Sequence, residues 1–215
     1  MQIEFAVGID VGKISGVAWY YLPDKKLVDI QTMSSWKLIE YLLGVEYADN
    51  IVFLVEDPNM DSKIYGSFYH IEKLLRPYTG SRAVVSHGTM QKIKSAFGIA
   101  MKHASGVGQN RGNANQVIDL LKTKGANVLR VNPSWRQRYD TINKKMNLSR
   151  ATVRKSVVAG LTMPTKLKRP DFELLTGWGK MTNEHARDAA TLVYGINDRT
   201  IAALQRRQPK VEKKK

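Results

Sequence analysis

The segment Ile3 to Trp19, IEFAVGIDVGKISGVAW, alternates apolar residues with glycine and, at position 10, an acid, turns through glycine, and becomes apolar again. Val7, Ile9 and Val11 stand between Gly8, Asp10 and Gly12, the period of two that a strand imposes. Gly12 and Gly16 suit a tight turn and a close backbone approach. The reading is two strands joined by that turn, with Asp10 as the anomaly in the first. A carboxylate in such a strand is expensive to bury unless a cation or a basic group compensates it. An ordinary hairpin with Asp10 bonded to its own turn is the competing account, and the rest of the chain has to decide.

Pro23 to Lys26 reads as a hairpin turn and Leu27 to Thr32 as a third strand, giving an antiparallel start. Trp36 to Leu43 has helical apolar spacing, with Ser34 or Ser35 as its cap. Ile51 to Val55, IVFLV, is continuously apolar, as a central parallel strand covered on both faces requires. It runs directly into Glu56-Asp57-Pro58, and the carboxyl end of such a strand is where open α/β sheets place their sites. Met60 to Tyr69 reads as a loop or broken helix, Ala83 to Val85 as a minor strand, and His87 to Gly108 as a basic helical excursion. Asn113 to Lys122 is an amphipathic helix closed by Gly125, and Val128 to Val131 is a strand. Arg150 to Leu161 and Asn183 to Leu204 are the remaining helix candidates. This order of elements predicts an α/β fold, a mixed sheet with helices on both faces.

Charge narrows the partner. The 215 residues carry 34 Lys plus Arg against 19 Asp plus Glu, a formal net charge of +15. That surplus points to a polyanion, with nucleic acid ahead of an acidic membrane surface. With no cysteine, disulfides, thiolate chemistry and cysteine-ligated zinc are excluded. No charged-then-apolar leader and no run of 18 apolar residues is present, so a cytoplasmic rather than secreted or membrane protein is expected. The end of the chain, RRQPKVEKKK, is charge-rich and predicts a disordered tail over 205–215 after one domain over 1–204.

Three acids form one candidate constellation: Asp10 on the first strand, Glu56 beyond the central one, and Asp188 early on the last helix. If the two strands are neighbours, Asp10 and Glu56 meet at the edge where that helix begins. Carboxylates brought that close repel one another unless divalent cations lie between them. Oxygen ligands without cysteine suit Mg²⁺, with Mn²⁺ as a substitute. Two such ions would activate a water and stabilise the leaving oxygen of a phosphodiester. His185, three residues before Asp188, shares its helical face and could orient or deprotonate the water or complete a metal's shell. A simple helix-surface pair of His185 with Asp188 is the competing account. Glu56 and Asp57 face opposite sides, so only one of them belongs to the site, and the residues alone leave open which.

Gly8-Ile-Asp10-Val-Gly12 with Ser15-Gly16, Val55-Glu56 at a strand end, Gln109-Asn-Arg111-Gly112 before a helix, and His185-Ala-Arg-Asp188-Ala-Ala occur in that order. The set resembles the motifs of the RuvC-like Holliday junction resolvases of the ribonuclease H-like superfamily, in the type found in bacteriophages and mobile elements. The resemblance touches about two-thirds of the chain. It implies a ribonuclease H-like mixed five-stranded sheet, metal ions carried by Asp10, Glu56 and Asp188, and His185 in the fourth catalytic position. It further implies a homodimer that nicks four-way DNA junctions symmetrically, in a bacterial or phage-infected cell. An aromatic residue after the second motif engages the junction in that family, which makes Phe68 the first choice here and Tyr69 the second. The segment 77–106 is longer than the resemblance leads one to expect and reads as a basic helical insertion. A looser specificity, for flaps, forks or RNA–DNA hybrids, and an inactive DNA-binding protein of the same fold are the alternatives.

Phosphate contacts are expected from Lys92, Lys94, Lys102, Arg111, Arg136, Arg138, Arg150, Arg154 and Lys155. Such residues position a duplex without reading its sequence. Trp135 and Tyr139 are candidates for stacking, although Trp135 after a strand suits a core equally well.

Overall fold

The computed structural model describes residues 2–60, 73, 75–76, 86–133 and 169–208. Its centre is a mixed five-stranded sheet with helices on both faces. Strands β1 (Phe5–Asp10), β2 (Ile14–Tyr21) and β3 (Lys26–Ser34) form an antiparallel meander. Helix α1 (Ser35–Leu43) then leads to β4 (Ile51–Glu56), which lies parallel to β1. Helix α2 (His87–Thr123) precedes β5 (Asn127–Val131), parallel to β4 at the sheet edge. The order across the sheet is β3-β2-β1-β4-β5. Helices α3 (Arg169–Thr176), α4 (Glu184–Val193) and α5 (Asp198–Arg206) complete the described chain.

Alternation along the strands sorts the core into two layers. Ala6, Ala18, Tyr20, Val52, Leu54, Leu129 and Val131 pack beneath α3, α4 and α5, against Phe172, Leu175, Ala189, Leu192, Ile201 and Leu204. Val7, Ile9, Val17, Phe53 and Val55 face the other way, onto Leu38 and Leu42 of α1 and Ala114, Val117, Ile118 and Leu121 of α2. This explains why β4 reads as an unbroken apolar run, since both of its faces are covered. Each of its fully buried side chains contributes about 1.5–3 kcal/mol of transfer free energy.

The predicted turn over Pro23–Lys26 is present, with Lys25 at φ 53 and its N–H donating to the Leu22 carbonyl. Three expectations are corrected. The excursion over His87–Gly108 and the helix over Asn113–Lys122 are one 37-residue helix. Gly106 and Gly108 do not interrupt it. They cost about 1 kcal/mol each relative to alanine, and the helix is anchored at its far end by the buried Ala114, Val117, Ile118 and Leu121. The single helix expected over Asn183–Leu204 is two, because Gly195 adopts φ +77 and Asn197 caps a new start by accepting from the Thr200 N–H. Order also continues past Leu204: Gln208 donates to the Arg130 carbonyl and accepts from the Arg130 N–H, satisfying the outer edge of β5. Helix α3 was not anticipated; its Phe172 and Leu175 are buried at helical spacing. The elements expected over Met60–Tyr69, Ala83–Val85 and Arg150–Leu161 lie outside the described residues, Met60 apart.

Candidate active site

Asp10 is the last residue of β1 and Glu56 the last of β4. The parallel register pairs Gly8 with Leu54 and Ile9 with Val55, so Asp10 and Glu56 occupy the next rung. Both follow the alternation that places Leu54 under α4, and therefore both stand on the α4 face at the carboxyl edge of the sheet. Asp57, one residue on, belongs to the opposite face. It is fully buried, and its Oδ1 accepts from the Asn59 N–H at 2.9 Å and the Asn59 side chain at 2.7 Å. Its Oδ2 accepts from Arg130 Nε at 2.5 Å and forms an ion pair with the same guanidinium. Asp57 is thus committed to holding β5 and the turn after β4. Glu56 is the acid left on the Asp10 side.

Removing the Asp57 carboxylate strands a guanidinium that is only 25% exposed. Asp57→Ala is expected to lower unfolding stability in chemical denaturation by about 3 kcal/mol, the scale of a broken buried pair. A loss below about 0.5 kcal/mol would remove this structural role.

The third element of the site is α4. Asn183 caps it by accepting from the Ala186 N–H at 2.9 Å, and the same oxygen accepts from the Thr32 hydroxyl of β3 at 3.0 Å. The helix start is thereby tied to the sheet. His185 Nδ1 then lies 3.0 Å from Asp10 Oδ2. The imidazole is 37% exposed and the Asp10 side chain 15%. Asp188, one turn along the same helix, is 9% exposed. His185 thus pairs across to the strand, and Asp188 is largely buried on the same helix.

Two glycines make this approach possible. A Cβ on Gly16 would collide with the His185 carbonyl oxygen, and one on Gly8 with that of Ala189. Gly16 is the β2 residue opposite Asp10, so the helix rests on bare backbone at the very rung that carries the acid. Gly16 lies inside β2 rather than in the turn, and the close backbone approach expected of it is the seat of α4. The available signal was the small residues Ala186, Ala189 and Ala190, which meet Gly8 and Gly16 in close helix–sheet packing. Arg130 was also missed, although an arginine inside the strand VLRV requires a partner.

The turn between β1 and β2 is held from several sides. Ser15 is buried, its hydroxyl donates to the Gly12 carbonyl at 3.1 Å, and it accepts from the Gly12 N–H at 3.3 Å. Asn113 of α2 donates to the same carbonyl at 3.3 Å. This brings the middle of α2, with the half-buried Arg111, beside the turn that follows Asp10.

No protein-family model, curated protein or solved structure matches this chain.

Of the predicted set, Asp10 and His185 are brought into contact; Glu56 ends the strand beside that of Asp10, and Asp188 follows His185 by one turn on α4. The oxygen-rich, cysteine-free donor set has the chemistry of a hard divalent cation site. Among the described residues, however, no group of three or more His, Asp or Glu side chains is arranged to hold a metal ion. Lys92 and Lys94 are exposed on α2, and Lys102 lies in the same helix. Phe68, Tyr69, Trp135, Arg136, Arg138, Tyr139, Arg150, Arg154 and Lys155 lie outside the described residues.

Proposed function

We propose that this chain is a divalent-metal-dependent endonuclease acting on branched DNA, with four-way junctions as its leading substrate and a homodimer as its working form. The observation that carries the reading is the shared face of Asp10 and Glu56 at adjacent strand ends, with His185 of α4 bonded to Asp10. The net charge of +15 supports a polyanionic substrate, and the ordered motifs resembling junction resolvases support its class.

Asp10, Glu56 and Asp188 would hold Mg²⁺, with Mn²⁺ as a substitute and two ions per site, and His185 would act on the water rather than on the metal. When bound, the ions supply a nucleophilic water at neutral pH and charge stabilisation for the leaving oxygen. The residues have tasks of their own. Asp10 orients the imidazole through Nδ1, leaving Nε2 of a partly exposed ring to take a proton from water. Asn183 and the glycine seat fix the helix that presents this histidine. Exposed lysines such as Lys92 and Lys94 draw in the phosphate backbone.

A second reading is a broader structure-selective nuclease for flaps, forks or RNA–DNA hybrids. It is favoured by α2, whose largely exposed first half, with Phe97 and Met101 at its surface, occupies the segment where the resemblance expects less chain.

Labelled four-way junction, Y-fork, linear duplex and RNA–DNA hybrid, each with Mg²⁺ or with chelator, separate these readings. The expected result is paired symmetric nicks in the junction with Mg²⁺ and none with chelator. Equal cutting of forks and junctions would favour the second reading. Tight binding without cutting in either Mg²⁺ or Mn²⁺ would leave only a binding protein.

A further inference from the structure

We infer that Asn113 and Asn115 of α2 are positioning residues that set the separation of Asp10 and Glu56, each holding the turn behind one of the two acids. The inference rests on the nuclease reading and names what keeps its two strand-end carboxylates together against their repulsion.

The paired register of β1 with β4 ends at Ile9 and Val55, one rung short of the acids. Asp10 is paired on its other side, with Gly16 of β2, and Glu56 on its other side, with Val131 of β5. The two carboxylates therefore stand where the sheet no longer ties their strands to each other. What opposes their splaying is the hold on the chain just beyond each acid.

Both holds come from α2. Beyond Asp10, the Asn113 side-chain amide donates to the Gly12 carbonyl at 3.3 Å. Buried Ser15 makes two further bonds to Gly12, so the grip on this residue is passed to the end of β1. Beyond Glu56, the Asn59 side-chain amide donates to Asn115 Oδ1 at 2.9 Å. The same amide and the Asn59 N–H donate to Asp57 Oδ1, whose partner oxygen is bonded to Arg130. The chain of contacts from β5 through the turn after β4 thus ends on α2. Asn113 and Asn115 are about 200° apart around the helix axis and ~3 Å apart along it, so one helix reaches in two directions, to one turn each. Ala114, Val117, Ile118 and Leu121 are buried against the sheet beside them, which makes the brace stiff. The bonds of both asparagines go to the turns, so their action on the acids runs through the backbone.

The test uses full-length protein, with Mn²⁺ binding read by calorimetry without DNA and cleavage of a four-way junction read as kcat and KM. Asn113→Ala and Asn115→Ala are each expected to weaken Mn²⁺ binding about tenfold, the scale at which groups behind metal ligands act, and to lower kcat with KM unchanged. Melting temperatures should fall by no more than about 5 °C, the effect of one lost hydrogen bond in a chain of this size. Aspartate separates the two roles. Asn115 accepts its bond, so Asn115→Asp should recover most of the loss. Asn113 donates, so Asn113→Asp should behave as Asn113→Ala does. Parent-like Mn²⁺ binding and kcat in both alanine variants, a loss confined to KM or to melting temperature, or equal behaviour of the two aspartate variants overturns the inference and leaves the nuclease reading standing. A parent that binds Mn²⁺ yet cuts no DNA removes the nuclease reading, and the Mn²⁺ titrations still decide the inference. A parent that neither binds Mn²⁺ nor cuts DNA removes both.

Discussion

Asp10→Asn is expected to reduce junction cleavage by on the order of 10³-fold or more, the range lost when a group acting at the reacting atoms is removed. Binding of the junction should change little, because the substitution removes a negative charge from a surface that attracts phosphate. The asparagine keeps the size of the side chain, so the β1–β2 pairing and the α4 seat survive. It loses the carboxylate that orients His185 through the contact at 3.0 Å. Loss of cleavage together with loss of folding would not support the assignment, so the melting temperature has to be measured on the same preparation. Normal cleavage by the variant would place the site elsewhere.

The second large effect is expected far from any charge. Gly16→Ala adds one methyl group where the His185 carbonyl already lies against the strand. The neighbour is helix backbone rather than a flexible side chain end, so α4 has to lift away from β2. Overpacking of this kind costs about 1–3 kcal/mol. It also moves His185 and Asp188 relative to Asp10, and a displacement of about 1 Å can cost ~100-fold in rate. Gly16→Ala should therefore lower both the unfolding midpoint and cleavage, whereas Asp10→Asn lowers cleavage alone. A Gly16→Ala protein with wild-type melting and wild-type cleavage would contradict the close seat of α4.

The contrast between these two substitutions reflects what the chain discloses in its sequence. The strands were legible because alternation is local: Val7 and Ile9 against Gly8 and Asp10, and the unbroken IVFLV of β4. The mixed sheet with helices on both faces followed from the order of those elements. The choice between Glu56 and Asp57 was not legible. It turns on a single-residue register and on Arg130, which is 73 positions from Asp57. The element that approaches Gly16 was hidden for a related reason. A glycine near a turn and a glycine beneath a helix look alike until the helix is placed. The continuity of α2 opposed a local glycine signal that anchoring at its far end outweighed. In α5 the reverse held, since Gly195 with a left-handed φ did end the preceding helix.

The Asp57–Arg130 pair also separates stability from chemistry at this corner. Its charges are spent on each other, on the face away from Asp10. Sequence neighbours thus divide the work: Glu56 faces the candidate site, and Asp57 holds the strand that carries it.

The central claim is that the corner made by Asp10, Glu56 and α4 is a metal-dependent hydrolytic centre. Anomalous diffraction from Mn²⁺-soaked crystals of the protein bound to an uncleavable junction tests it most directly. The account predicts Mn²⁺ in contact with the carboxylates of Asp10 and Glu56, drawn together by the ion, and no such ion in crystals of Asp10→Asn. Mn²⁺ seated elsewhere, with this corner empty in a protein that cuts DNA, would contradict it.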